Sequence, residues 1–121
     1  MSKLKLALLA VYASCTLPVI AAEWTATDRA LLVGAYATEL ADYSQTMQLP
    51  GRPDLYEQNP ILGTHPSKAK ITAYFAGAAV ATYVIADVLP PVWRTTYLGG
   101  VIVFEAVVVK HNTKLGVTIH F

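Results

Sequence analysis

The chain alternates between long, mostly apolar stretches and short polar segments rich in proline and glycine. The first such stretch after the N-terminal region begins near Ala26 and ends before Pro50. Thr25 and Asp28 stand at its start with the spacing of a capping box, with Asp in place of the usual Glu or Gln. The pattern therefore predicts a first helix from about Ala26 that ends before Pro50.

Two further helices are predicted beyond an irregular loop at 49–66, in which prolines and glycines prevent a helical hydrogen-bond ladder. Ser67 is a suitable N-cap for a helix that passes through Ile71 and ends at about Val88.

A third helix should follow the turn at Leu89-Pro90-Pro91, because Pro91 suits the first turn of a helix. We expect it to end at about Lys110, with Asn112 as a candidate C-terminal cap. The β-branched run 107–109 would suit a strand equally well in water.

The second and third helices have the length and composition of membrane spans. Residues 71–93 contain one charge, Asp87, and residues 95–109 contain one, Glu105. Such segments match a bilayer core of about 30 Å. The first helix is less suited, since Glu39 and Asp42 would each cost about 2.5 to 3.5 kcal/mol at the centre of a lone inserted helix. It must bury them against its neighbours or lie in the interface.

The N-terminus has the features of an export signal. Lys3 and Lys5 precede an uncharged run at 6–22 that ends in small residues. We predict a signal peptide cleaved after Ala22, with a retained signal anchor as the alternative. Cys15 resembles a lipobox cysteine, but an inert apolar residue of the signal is the preferred interpretation. The expected fold is all-α: a small transmembrane bundle of three helices at 23–121 plus the signal helix, with a short extended C-terminal tail.

Charge determines the predicted orientation and excludes one class of partner. The net charge of +1 offers no basic surface for nucleic acid. If the N-terminal lysines are cytoplasmic, seven basic residues lie inside and two outside, which agrees with the positive-inside rule. This predicts a bacterial inner-membrane protein whose mature N-terminus is outside and whose C-terminus is cytoplasmic. The inside set is Lys3, Lys5, Arg52, Lys68, Lys70, Lys110 and Lys114, and the outside set is Arg29 and Arg94.

A face of small residues on the second helix favours close helix packing. Ala73, Gly77 and Ala81 are spaced four apart, so another backbone can approach them. The preferred partner is the next helix of the same chain, through Gly99, Gly100 and Ala106. A homo-oligomer is the alternative.

Polar residues in apolar surroundings should form one cluster. Glu39, Asp42 and Thr46 lie on one helical face, and Glu105 needs a partner at membrane depth. Candidate partners of Glu105 are Lys70, His65, His111 or another carboxyl group. We expect the loop carrying Glu57 and Asn59 to fold over this face, and the cluster to have a structural role. Asp87 and Arg94 flank the proline turn and are expected to pair.

These residues carry a family resemblance. Asp42 to Thr46 form D-x-x-x-T, and residues 57–67 form E-x-N-P-I-L-G-x-H-P-S. The chain thereby resembles short, uncharacterised bacterial and phage membrane or exported proteins with this pattern. The resemblance implies architecture but no activity. Its polar positions in this chain are Asp42, Thr46, Glu57, Asn59, Arg94 and Glu105.

Candidate chemistry is sparse, and three functional hypotheses remain. No nucleophile elbow, Walker loop or dinucleotide loop is present, and no H-E-x-x-H or E-x-x-H spacing indicates a metal. We therefore predict no cofactor, no metal and no catalytic residue. The leading hypothesis is a non-enzymatic membrane component that binds or modulates another envelope protein. The alternatives are a holin-like permeabilising protein and a metal-dependent or acid-base membrane enzyme.

Overall fold

The computed structural model describes residues 22–121, and its regular structure there is entirely helical. The helices are α1 (Ala26–Thr46), α2 (Lys68–Val88) and α3 (Pro91–Lys114). A single 3-10 turn, Leu49–Gly51, follows α1. The all-α prediction is confirmed for this part of the chain, while the predicted signal segment before Ala22 lies outside it.

Side-chain caps fix the starts of α1 and α2 where the sequence predicted them. Thr25 Oγ1 accepts a hydrogen bond from the Asp28 N–H at 3.0 Å, and Asp28 Oδ2 accepts one from the Thr25 N–H at 3.0 Å. Ser67 Oγ accepts from the Lys70 N–H at 3.2 Å. Each cap satisfies backbone donors that have no partner inside the helix.

The third helix is longer than predicted and ends differently. It continues past Lys110 to Lys114, and Asn112 is part of it instead of its cap. Gly116 has φ +85°, a conformation that glycine adopts without strain. The N–H of Gly116 donates to the Thr113 carbonyl and that of Val117 to the Asn112 carbonyl, which is a Schellman termination. The β-branched run 107–109 is helical, not a strand.

The helices run up, down and up, with α2 antiparallel to its neighbours. Trp24, just before α1, donates from Nε1 to Asp87 near the end of α2 at 2.8 Å. Helix α1 packs mainly against α3. A Cβ on Gly34 would lie 3.0 Å from Ile102 Cδ1, so the absence of a side chain lets the two helices approach. The buried apolar centre is small and consists of Ala35, Ala86 and Leu98.

Helices α2 and α3 are long and apolar enough to cross a membrane. In the most apolar 18 residues of each helix, only 17% of α2 and 11% of α3 is buried within the described chain. Large apolar side chains therefore cover the outside of the bundle: Val80, Val84, Ile85, Val88, Val92, Trp93, Val103, Phe104 and Val107.

Candidate functional site

A concave surface of the described chain lies where α1 and α3 end. It is a cleft of about 600 Å³ between these two helices and the loop that follows α1. Polar groups from α1, α3 and the loop share its lining with apolar side chains. The lining includes Asp42, Gln45, Thr46, Leu55, Tyr56, Glu57, Asn59, Phe104, Val107, Val108, His111, Asn112 and Leu115.

A hydrogen-bonded floor connects the two helices beneath this cleft. Asn112 Nδ2 donates to Asp42 Oδ1 and to Gln45 Oε1, at 3.2 Å in each case. Thr46 Oγ1 donates to the same Asp42 oxygen at 3.3 Å. Asp42 and Thr46 thus lie together on one helical face, as the sequence predicted, and the amide of Asn112 links them to α3.

Gln45 is the central residue of this floor, and sequence reasoning did not assign it a role. Its side chain is completely buried. Nε2 donates to the Val117 carbonyl at 2.8 Å and to Thr113 Oγ1 at 3.1 Å. Nearby, Gln48 Nε2 donates to the Thr118 carbonyl at 2.7 Å. Gln45 in α1 and Gln48 just after it therefore attach the residues after α3 to this end of α1. The only sequence signal for Gln45 was its position beside the Asp42 face.

The loop forms one side of the cleft and is held by its own side chains. Glu57 Oε1 accepts hydrogen bonds from the backbone N–H groups of Gln58 and Asn59 at 2.9 and 2.8 Å. Asn59 Oδ1 accepts from the Ile61 N–H at 2.9 Å. The E-x-N-P segment thus caps amides of its own loop. Within the described residues, neither Glu57 nor Asn59 caps a helix end or hydrogen-bonds Asp42.

The predicted acidic cluster is only partly assembled. Glu105 lies beside Asp42, close enough for a hydrogen bond if one of the two carboxyl groups carries a proton. Its Oε2 is buried and has no hydrogen-bond partner within residues 22–121. The basic partners suggested by sequence do not pair with Glu105 in this part of the chain, and His65 is exposed on the loop.

Glu39 belongs to a different environment, between α1 and α2. Its Oε1 accepts a hydrogen bond from Thr82 Oγ1 at 2.5 Å. Its Oε2 is buried without a partner in the described chain. Glu39 also lines a second groove of about 360 Å³, which is walled mainly by aromatic and small apolar residues.

The opposite end of the bundle is organised by Arg94, which is fully buried. The prediction that the side chains of Asp87 and Arg94 form an ion pair is wrong. Arg94 Nη1 instead pairs with Asp28 Oδ2 at 3.3 Å, and the carboxylate of Asp87 accepts the indole N–H of Trp24. Arg94 contacts Asp87 only through its backbone carbonyl, at 3.2 Å. The reason is geometric: α1 places the Asp28 carboxylate next to the guanidinium.

The small-residue face of α2 does not pack against α3. Ala73, Gly77 and Ala81 are exposed, and a Cβ added at Gly77 would meet nothing within 4 Å. The same holds for Gly99 and Gly100, the expected partners. The preferred prediction of packing within the chain is therefore wrong for residues 22–121, since the close approach occurs at Gly34 on α1.

An exposed ion pair at Arg52 and Asp54 lies in the loop outside the cleft lining. The two side chains are 3.0 Å apart, and Arg52 holds the pKa of the Asp54 carboxyl below its usual value by hydrogen bonding. Exposed pairs of this kind contribute little to stability. Asp54 therefore serves as a neutral comparison for the residues of the cleft.

Comparisons with known proteins add no assignment to this geometry. No protein-family model, curated protein or solved structure matches the chain. Within residues 22–121, no group of three or more His, Cys, Asp or Glu side chains is arranged to hold a metal ion. The lining of the cleft offers two carboxyl groups, the imidazole of His111 and several amides beside an apolar wall.

Proposed function

We propose that this chain is a small non-enzymatic inner-membrane protein that binds another envelope protein in the cleft between α1, α3 and the loop. Two helices that are long and apolar enough to cross a membrane, together with a largely exposed apolar surface, support the membrane part of the proposal. A soluble monomer rarely exposes a contiguous apolar patch above a few hundred Å².

The cleft is the observation that supports a binding role. Its apolar wall carries Phe104, Val107 and Val108, and its acidic lining groups are the carboxyl groups of Asp42 and Glu57. The hydrogen bonds of Glu57 within the described chain use only Oε1, which leaves Oε2 for a ligand.

This combination fits the cytoplasmic end of another membrane-spanning helix. Such helix ends place Lys or Arg directly after an apolar segment, as the positive-inside rule describes. In the proposed orientation, the cleft lies at the cytoplasmic side, because α1 and α3 both end there. The apolar part of the partner would contact the wall at Val107, and its basic residue would pair with Asp42 or Glu57.

Site-specific photocrosslinking in cells tests this proposal. A photoreactive phenylalanine at Tyr56, which is exposed and lines the cleft, should capture a defined membrane protein. The same probe at Val92, exposed at the opposite end, is the control. Mass spectrometry should place the crosslink at a basic residue flanking an apolar span. The combined change Asp42→Asn and Glu57→Gln should reduce the crosslink without reducing the amount of protein.

Three results would contradict the proposal. One is equal capture from Tyr56 and Val92, which would indicate unspecific contact. Another is capture of segments that lack a basic residue beside an apolar span. The third is an unchanged crosslink after both carboxylates are neutralised, since charge pairing would then have no part in binding.

A further inference from the structure

The groove between α1 and α2 contains a buried carboxyl group that the proposed partner-binding cleft does not use. Glu39 is 7% exposed and stands in the middle of α1. Thr82 satisfies one of its oxygens, and Oε2 remains without a partner within residues 22–121. Neither ion pair found in this part of the chain involves Glu39. A buried carboxylate without a positive partner is costly, so a positive ligand would stabilise it.

The walls of this groove are aromatic and held in place. Tyr36 donates its hydroxyl to the Ala79 carbonyl at 3.0 Å, and the hydroxyl of Tyr43 hydrogen-bonds Thr72 at 3.1 Å. Both hydroxyl groups are therefore occupied by α2, and the rings are left as walls. The third ring, that of Phe75, is held by packing, because it makes an edge contact with Tyr43 at a centroid distance of 5.5 Å.

We propose that the α1–α2 groove, lined by Tyr36, Glu39, Tyr43 and Phe75, binds a small organic cation of the quaternary ammonium class. Aromatic faces attract such cations through their negative quadrupole, and a carboxylate supplies the counter-charge. The methyl groups that surround the charge of such a cation can pack against the apolar residues of the groove, such as Ala76. The groove volume of about 360 Å³ accommodates a cation of the size of choline.

Calorimetric titration of the full-length protein in maltoside micelles tests the site. The probes are choline and its neutral isostere 3,3-dimethyl-1-butanol, which differ in charge but hardly in shape. Choline should bind at least about tenfold more tightly, as expected for a cation at a partly desolvated aromatic site. Glu39→Gln keeps an acceptor for Thr82 but should abolish this preference. Phe75→Leu should weaken choline binding several-fold, whereas Asp54→Asn, in the exposed loop, should change nothing.

These measurements test the class of the ligand and its source, and they test both independently of the proposed function. Equal binding of both probes, or unchanged choline affinity in Glu39→Gln, would overturn the assignment. Measurement in nanodiscs then identifies the source of the cation. Equal choline affinity in phosphatidylglycerol and phosphatidylcholine indicates a free cation, and weaker affinity in phosphatidylcholine indicates a lipid headgroup that competes for the groove. Glu39→Gln should leave crosslinking from Tyr56 intact, so either proposal can fail alone.

Discussion

Replacing Arg94 by alanine should destabilise the bundle more than replacing Asp42 or Asn59 by alanine or Gln45 by leucine. Arg94 closes the end of the bundle at which α1 and α3 begin. Its guanidinium donates to the carbonyls of Ala86 at 2.8 Å, Ala22 at 2.9 Å and Glu23 at 3.3 Å. It also pairs with Asp28 and lies 4.8 Å from the centre of the Trp24 ring.

The expected magnitude follows from burial and from the number of bonds. Arg94 makes five hydrogen bonds, of which four lie within residues 23–121 and would persist after cleavage at Ala22. Removing one partner of a buried charge pair costs about 3 to 5 kcal/mol, because the remaining charge loses its compensation. Arg94→Lys keeps the charge but cannot span the same acceptors, and the loss of two or more bonds should cost about 2 kcal/mol.

Reversible unfolding in mixed micelles, followed by tryptophan fluorescence, measures these differences. Arg29→Ala is the matched control, because Arg29 is an exposed arginine near the same end of α1. We expect the order of stability to be wild type and Arg29→Ala, then Arg94→Lys, then Arg94→Ala. If Arg94→Ala unfolds with the free energy of the wild type, the buried guanidinium does not hold the helices together and this reasoning is wrong.

The remaining predictions concern the membrane and the other end of the bundle. Alkaline carbonate should leave the protein in the membrane fraction, because α2 and α3 can both insert, and complete release would refute insertion. Gln45→Leu should lower the free energy of unfolding by about 1 to 3 kcal/mol, because buried acceptors lose their donor. It should also expose the residues from Val117 onward to carboxypeptidase, and a resistant variant would contradict their attachment to α1. Asp42→Ala should lower the free energy of unfolding by about 1 to 3 kcal/mol, since Asn112 loses an acceptor. Asn59→Ala should lower the free energy of unfolding by about 1 kcal/mol, because the Ile61 N–H loses its acceptor. Asp54→Ala should leave the melting temperature unchanged, and an equal loss of stability in this variant would show that any substitution in the loop destabilises the protein.

The sequence alone determined the local elements of this protein. Capping depends on residues within one turn, so Thr25 and Ser67 marked helix starts that the structure confirms. Proline has no amide hydrogen and a fixed φ, so the turn at Pro90 was also predictable. The apolar length of α2 and α3 followed from composition. These features need no knowledge of neighbouring helices, because the groups that decide them are adjacent along the chain.

Only the tertiary structure decided which distant groups meet. The partner of Arg94 depends on how α1 packs against α3. The two helices approach each other at Gly34, which has no side chain, and the small residues around Gly77 make no such contact. The burial of Gln45 depends on the return of the chain at the Schellman turn after α3. Periodicity shows which residues share a helical face, but it carries no information about the rotation of each helix towards its neighbours. That rotation separates Glu39, which faces Thr82, from Asp42, which faces the cleft, although both lie on one helix.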